Sequence, residues 1–140
     1  MKFLILAMLP AAATAQSIDC ARGDQQPMAL SSWSAESLQI EVFGIPKESV
    51  KLSFMLENMT GKSIIAIDGS VSVFDPLGRF MFAIDMPEIP TFEGDTLSIS
   101  GEYGVTKGVL GLASLPPERV TVIACTSEVA YADGTVETFD

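Results

Sequence analysis

Residues 64–86, IIAIDGSVSVFDPLGRFMFAIDM, decide the fold class of this chain. Apolar and polar residues alternate through most of the first half, and this period of two predicts a half-buried β-strand. Residues 75–78, Asp-Pro-Leu-Gly, have the composition of a type I turn, so the chain should return as a second strand over residues 80–86. Gly69 interrupts the first strand, and we expect a β-bulge or a close backbone approach there.

The same alternation recurs along the rest of the chain. Further runs cover residues 38–43, 51–57, 97–103, 120–131 and 136–138. Gly44 and Pro46 are expected to end the first of these runs. Seven short strands at a spacing of about ten residues predict an all-β fold, an antiparallel immunoglobulin-like β-sandwich. A small closed barrel fits the same periodicity, because alternation does not distinguish two packed sheets from a closed one.

The last hairpin has the clearest turn signal. Asp133-Gly134 is a typical two-residue hairpin loop. Such a loop pairs Tyr131 with Val136 and Val129 with Thr138, which would place the apolar members on one face.

The first twenty residues predict where the protein works. A positive start at Lys2, a short apolar run over residues 3–9 and a small-x-small site ending at Ala15 form a secretory signal peptide. The mature chain would then begin at Gln16, as a periplasmic or secreted protein. We divide the chain into a signal peptide (1–15), an N-terminal arm (16–36) and a β-sandwich domain (37–140).

Charge excludes several classes of partner. Removal of the leader takes away Lys2 and no acid, so 7 basic and 18 acidic residues remain, a net charge of −11. A chain of this charge repels phosphate backbones and anionic headgroups, so we expect neither nucleic-acid binding nor membrane insertion.

The two cysteines are expected to form a structural disulfide. Cys20 and Cys125 lie near opposite ends of an exported chain, where an even pair usually means a disulfide. A redox or metal-binding pair is the alternative, but the chain has no Cys-x-x-Cys motif and no histidine. Lipid attachment at Cys20 is disfavoured because Asp19 immediately precedes it.

Few residues could carry chemistry. Without histidine there is no Ser-His-Asp triad and no imidazole metal ligand, so we expect no enzyme, no cofactor, no catalytic residue and no metal site. The acids Asp85, Glu88, Glu93 and Asp95 are the one group that could bind Ca²⁺ or act as an acid/base pair. Trp33 could stack on a sugar, although burial against the core suits a large ring better. A carbohydrate- or metal-binding periplasmic module is therefore the alternative function.

A binding role is the function that remains. Exposed strand edges can accept an added strand from a partner. The loop over residues 86–90 and the apolar residues Leu110, Leu112 and Leu115 are the candidate partner surface, with folding of these leucines onto the sandwich end as the alternative. We expect the partner to be another envelope protein, and the sequence leaves its identity and the oligomeric state open.

The turns also carry a resemblance. Phe54-x-x-Glu57-Asn58-x-Thr60-Gly61-Lys62, followed by a strand that closes on Phe74-Asp75-x-x-Gly78, is similar to small extracytoplasmic immunoglobulin-like domains of bacteria of the FxLYD type. The tyrosine-aspartate ending of that family is replaced here by Phe74-Asp75. The resemblance implies a non-catalytic domain and assigns no functional residue.

Overall fold

The computed structural model of the chain describes Cys20, residues 25–103 and residues 111–139. Eight strands make up most of this part. They are β1 (Met28–Val42), β2 (Ile45–Asn58), β3 (Ile64–Phe74), β4 (Phe80–Asp85), β5 (Phe92–Glu93), β6 (Thr96–Tyr103), β7 (Thr121–Tyr131) and β8 (Val136–Thr138). A short 3-10 helix, Pro117–Arg119, precedes β7. The predicted leader and Leu110 lie outside the described residues.

The strands form two antiparallel four-stranded sheets. Their orders are β1-β2-β6-β5 and β4-β3-β7-β8. In immunoglobulin nomenclature these are A-B-E-D and C′-C-F-G, so the predicted all-β sandwich of immunoglobulin-like type is confirmed. The eighth strand, β5, is only two residues long, too short for alternation to reveal.

The core lies between the sheets and explains the alternation. Every second residue of β2 from Val50 to Leu56 is buried, and the matching residues of β3, β6 and β7 face them. The buried apolar side chains of these four strands are Val50, Leu52, Phe54, Leu56, Ile64, Ile67, Val71, Val73, Leu97, Ile99, Val129 and Tyr131.

Two local predictions, the turn at residues 75–78 and the bulge at Gly69, are confirmed. The Gly78 N–H donates to the Asp75 carbonyl at 2.8 Å, which closes the type I turn. At Gly69 the β3–β7 register shifts, and a Cβ there would lie 2.7 Å from the Cys125 carbonyl oxygen and 3.0 Å from the Met86 sulfur. Glycine is therefore favoured at this position because the backbone of β7 and the Met86 side chain leave too little room for a Cβ.

The first strand begins earlier than the alternation indicates. β1 starts at Met28, so the part of the predicted arm from residue 28 to residue 36 lies in the sheet, paired with β2. This segment has a bulge between Leu30 and Ser32 and an exposed, serine-rich outer face, which together hide the period of two.

The predicted end of that strand is correct for Gly44, since β1 ends at Val42, but wrong for Pro46. Phe43 and Gly44 form the turn of a hairpin, and Pro46 lies inside β2 opposite Glu41. β6, as far as it is described, ends opposite Val50, so Pro46 removes no hydrogen bond to β6. Strands tolerate proline at such an open edge.

The last hairpin differs from its prediction by one residue. Ala130 pairs with Val136, and Glu128 pairs with Thr138. The loop is longer than two residues. The Gly134 N–H donates to the Tyr131 carbonyl (3.0 Å) and closes a turn, and Gly134 itself has φ 93°, so a turn with a bulge replaces the two-residue loop. Tyr131 is consequently buried and Val136 exposed, on different faces.

The predicted disulfide is present and links Cys20, which precedes β1, to β7. Cys20 and Cys125 are bonded, with their Cα atoms 5.4 Å apart. Next to this bond, Gln26 Oε1 accepts from the Thr126 N–H at 2.7 Å and Gln26 Nε2 donates to the Thr126 carbonyl at 3.3 Å. The amide thus imitates a neighbouring strand. No helix in the described part of the chain is long and apolar enough to cross a membrane.

Candidate interaction surface

The β1–β2 hairpin is longer than the described part of the neighbouring strand. As far as β6 is described, it pairs with β2 from Val50 to Glu57, whereas β1 and β2 continue to pair from there to their turn. In the described residues, no third strand joins them over residues 37–49, and we call this segment the finger. At about 3.4 Å per residue, its six paired positions on β1 span about 20 Å.

The apolar side of β1 changes where the finger begins. Within the sandwich, Trp33 and Ala35 face the core, opposite Phe54 and Leu52. Because side chains alternate along a strand, residues 37, 39 and 41 continue that face, and they are Ser, Gln and Glu. The apolar residues of the finger, Leu38, Ile40 and Val42, therefore lie on the opposite face, together with Ile45. None of the four belongs to the core cluster of the sandwich; Leu38 and Ile40 are half-buried, whereas Val42 and Ile45 are exposed.

The turn at the end of the finger breaks a local rule. Phe43 has φ 52° and Gly44 has φ 77°, the signs of a type I′ turn, in which Asn, Asp or Gly normally occupies the first position. A residue with a Cβ in this region costs roughly 1–2 kcal/mol. The Phe43 side chain is 99% exposed, so no packing within the chain compensates for this cost. Local strain combined with full exposure of an aromatic ring marks this turn as a candidate contact.

Comparisons with known proteins give no information about this surface. No protein-family model, no curated protein and no solved structure matches this chain. The FxLYD-like resemblance stays a prediction.

The predicted leucine surface is largely internal. Leu112 is 1% exposed and belongs to the core, and Leu115 is half-buried against it. Leu110 lies outside the described residues. The alternative, that these leucines fold onto the end of the sandwich, holds for Leu112 and Leu115, because an apolar loop beside an open sandwich end gains most by covering it.

The loop after β4 is partly a structural strap. The first half of its backbone is held to β3 at two positions: the Met86 N–H donates to the Gly69 carbonyl (2.9 Å), and the Ile67 N–H donates to the Glu88 carbonyl (3.0 Å). Met86 is buried, whereas Ile89 is exposed. Ile89 is therefore the large apolar side chain that this loop exposes to a partner.

The four predicted acids do not form one site. Asp85 and Glu88 line a groove of about 630 Å³ together with Asp68 and Glu128, which are direct cross-strand neighbours. Glu93 lies on β5 of the other sheet, and Asp95 lines a separate depression. Among the described residues, no three side chains of His, Cys, Asp or Glu are grouped as metal ligands. The acidic stretch is thus split between two sheets.

Trp33 does not present an open ring. It is half-buried and packs against the core, opposite Phe54. The placement agrees with burial rather than with a free face for a sugar.

A polar cluster fixes the β7–β8 turn. The Asp133 carboxylate accepts from the hydroxyl (2.6 Å) and N–H (2.9 Å) of Thr135 and pairs with Lys62 at 3.1 Å, and these contacts lower its pKa to about 2. Burial raises the pKa of Tyr131 to about 12, assisted by its hydrogen bond to Glu137 at 2.7 Å. The Lys62 ammonium also lies 4.1 Å from the centre of the Tyr131 ring. Each charge has a partner, so the cluster reads as a turn lock.

The β3–β4 turn has a smaller version of this lock. Asp75 Oδ1 accepts from the N–H of Arg79 at 2.8 Å and of Leu77 at 2.9 Å. The hydrogen bond from the Arg79 backbone is the main cause that lowers the Asp75 pKa. This carboxylate is committed to the turn and is not free for acid/base chemistry.

The sequence contains a signal for the finger. Alternation predicts Leu38, Ile40 and Val42 as one face, but only the β1–β2 register reveals that this face is opposite to that of Trp33. That register depends on the bulge between Leu30 and Ser32 and on the hairpin turn at Phe43-Gly44, neither of which the alternation indicates.

Proposed function

We propose that this chain is an exported, non-catalytic β-sandwich protein that serves as a binding or accessory module of the cell envelope. The observation that carries the proposal is the finger, with its apolar face turned away from the core and an exposed phenylalanine at its end. Monomeric proteins rarely leave such residues together without a partner.

Export is supported by two independent features. The leader-like pattern of residues 1–15 predicts cleavage before Gln16. The Cys20–Cys125 disulfide is typical of oxidising compartments such as the periplasm. N-terminal sequencing of the chain recovered from the periplasm or medium of an expressing bacterium tests this part, and an intact Met1 or a chain confined to the cytoplasm contradicts it.

The binding role rests on side-chain chemistry. Val42, Phe43 and Ile45 are exposed on a segment that carries Glu41, Lys47 and Glu48 as its only charges. The finger therefore has a net charge of −1 over 13 residues, close to the average of the chain, so its exposed apolar residues carry the binding role. No observation of comparable weight favours sugar or metal binding.

The test immobilises three forms of the mature, oxidised protein and incubates each with an envelope extract. The forms are wild type, a finger variant and a control variant. A finger variant combines Val42→Thr, Phe43→Asn and Ile45→Thr. The control is Leu77→Ser, because Leu77 is an apolar turn residue that is 74% exposed away from the finger. Components retained by wild type and the control but lost by the finger variant support the proposal. Equal retention by all three forms contradicts it.

A further inference from the structure

We infer that the finger pairs with a second copy of this chain, with β1 edge against β1 edge in antiparallel register about Ile40. This inference rests on the proposed function, because it names the partner of the same surface. It begins from the edges of the two sheets.

Among the described strands, β1 is the long edge of its sheet, with no strand paired to its outer side. The other edge strands that the structure describes are short: β4 has six residues, β5 two and β8 three, against 15 in β1. Long open edges promote strand addition, and proteins normally protect them with lysine, proline or a bulge. The bulge of β1 lies at Leu30/Ser32, inside the sandwich, and leaves the finger regular.

The two edges of the finger are treated differently. The β2 side carries Pro46 and Lys47, both typical protections against strand addition. The β1 side, residues 37–42, has neither proline nor lysine, and Glu41 is its single charge. Strand addition is therefore blocked on one side of the finger and permitted on the other.

The β1 edge is complementary to itself in one register. A two-fold axis at Ile40 places Ile40 opposite its own copy and Leu38 opposite Val42 of the second copy. All of these side chains lie on the apolar face of the finger, so the pairing joins two apolar stripes into one. On the other face, Gln39 stands opposite Glu41 of the second copy, and no two acids are opposed.

The negative charge of the chain predicts how the dimer responds to salt. Each full chain has a formal net charge of −10, so two copies repel one another at long range. Salt screens this repulsion but leaves apolar and backbone contacts in place. The dimer should therefore become stronger as ionic strength rises, whereas a contact held by ion pairs would become weaker.

The register is tested with added cysteines, since both native cysteines are already paired. Directly opposed Cβ atoms lie about 4.5–5.5 Å apart, close to the span of a disulfide. Under mild oxidation Ile40→Cys should form a covalent dimer. Ser34→Cys is the control, on the same face of β1 but six residues away. Leu38→Cys and Val42→Cys should each link poorly alone and readily when mixed. Peptide mapping verifies that Cys20–Cys125 stays intact.

A second measurement needs no added cysteine. Sedimentation velocity over a range of concentrations should show a reversible dimer for wild type, strengthened by NaCl. Ile40→Lys places two like charges at the axis and should be monomeric, with an unchanged circular dichroism spectrum. Linking of Ile40→Cys no faster than Ser34→Cys, or a monomeric wild type in high salt, overturns the inference.

The outcomes distinguish a failure of this inference from a failure of the proposed binding function. If wild type is monomeric while the finger variant still loses an envelope component, the second-copy pairing is wrong and the binding role stands. Flotation of monomeric wild type with phosphatidylcholine vesicles, lost in Phe43→Asn, would likewise overturn pairing and assign the finger to a lipid surface. If the finger variant differs from wild type in no assay, both proposals fail.

Discussion

Replacing Phe43 with asparagine should make the protein more stable. Phe43 sits at φ 52° in the first position of the hairpin turn, where asparagine is the preferred residue. Its side chain is 99% exposed, so the substitution removes no packing within the chain. The strain of a side chain in this region is roughly 1–2 kcal/mol, and relief of most of it should raise the free energy of unfolding by about 1 kcal/mol. For a domain of this size that is a rise in Tm of about 4 °C.

The assay is urea denaturation, followed by circular dichroism at a concentration where wild type is monomeric. Phe43→Leu is the matched control, because it keeps an apolar side chain at the same φ and should change stability little. An unchanged m value would show that the unfolded state is the same. A Phe43→Asn variant that is no more stable than wild type, or a Phe43→Leu variant that gains as much, would refute the claim that this turn is strained.

Three further predictions concern the frame of the fold. Gly69→Ala should lower the free energy of unfolding by about 1–3 kcal/mol in the same assay, because its Cβ would lie 2.7 Å from the Cys125 carbonyl oxygen, and a neutral effect would refute the close approach. Replacing Cys20 and Cys125 together with serine should cost about 4–5 kcal/mol by the loop-entropy model, and a loss below about 1 kcal/mol would contradict that role. Tyr131 should ionise near pH 12 in an alkaline absorbance titration compared with Tyr131→Phe. Because its folded pKa lies above the ordinary value of 10.0, its contribution to stability is present below pH 10 and is lost as the pH rises toward 12, and a transition near pH 10 would contradict its burial.

Much of the fold follows from short-range patterns. The strands of residues 64–86 are predictable because both faces of the alternation and the turn at residues 75–78 agree. Gly69 is predictable because a glycine inside a strand needs a steric reason, which the Cys125 carbonyl supplies. The disulfide follows from the pairing of two cysteines in a chain with a leader-like start.

The misses arise where a long-range contact overrides a local signal. Asp133-Gly134 has the composition of a two-residue loop, but the Asp133 carboxylate pairs with Lys62 between β2 and β3, and the β7–β8 pairing begins one residue earlier, at Ala130. Leu112 has no periodicity, and its burial depends on the sandwich end beneath it. Neither position can be assigned without the neighbouring strands.

The finger is the most instructive miss. Gly44 correctly marks the end of β1, but β2 begins directly after it at Ile45 and contains Pro46. Proline is compatible with β2 there because β6 does not reach that far in the described residues. A strand-ending signal in a sequence therefore has to be weighed against the possibility of a two-stranded extension with open edges.

The most direct test of the central claim is photo-crosslinking in living cells. A photoreactive phenylalanine analogue is placed at position 43 in the exported chain, and at position 77 as the control, since Leu77 is an exposed apolar turn residue outside the finger. We expect adducts from position 43 that are absent from position 77, including one of twice the chain's mass, because Phe43 would lie opposite Ser37 of a second copy. No adduct from position 43, or equal adducts from both positions, would contradict the claim that the finger is the contact surface of this protein.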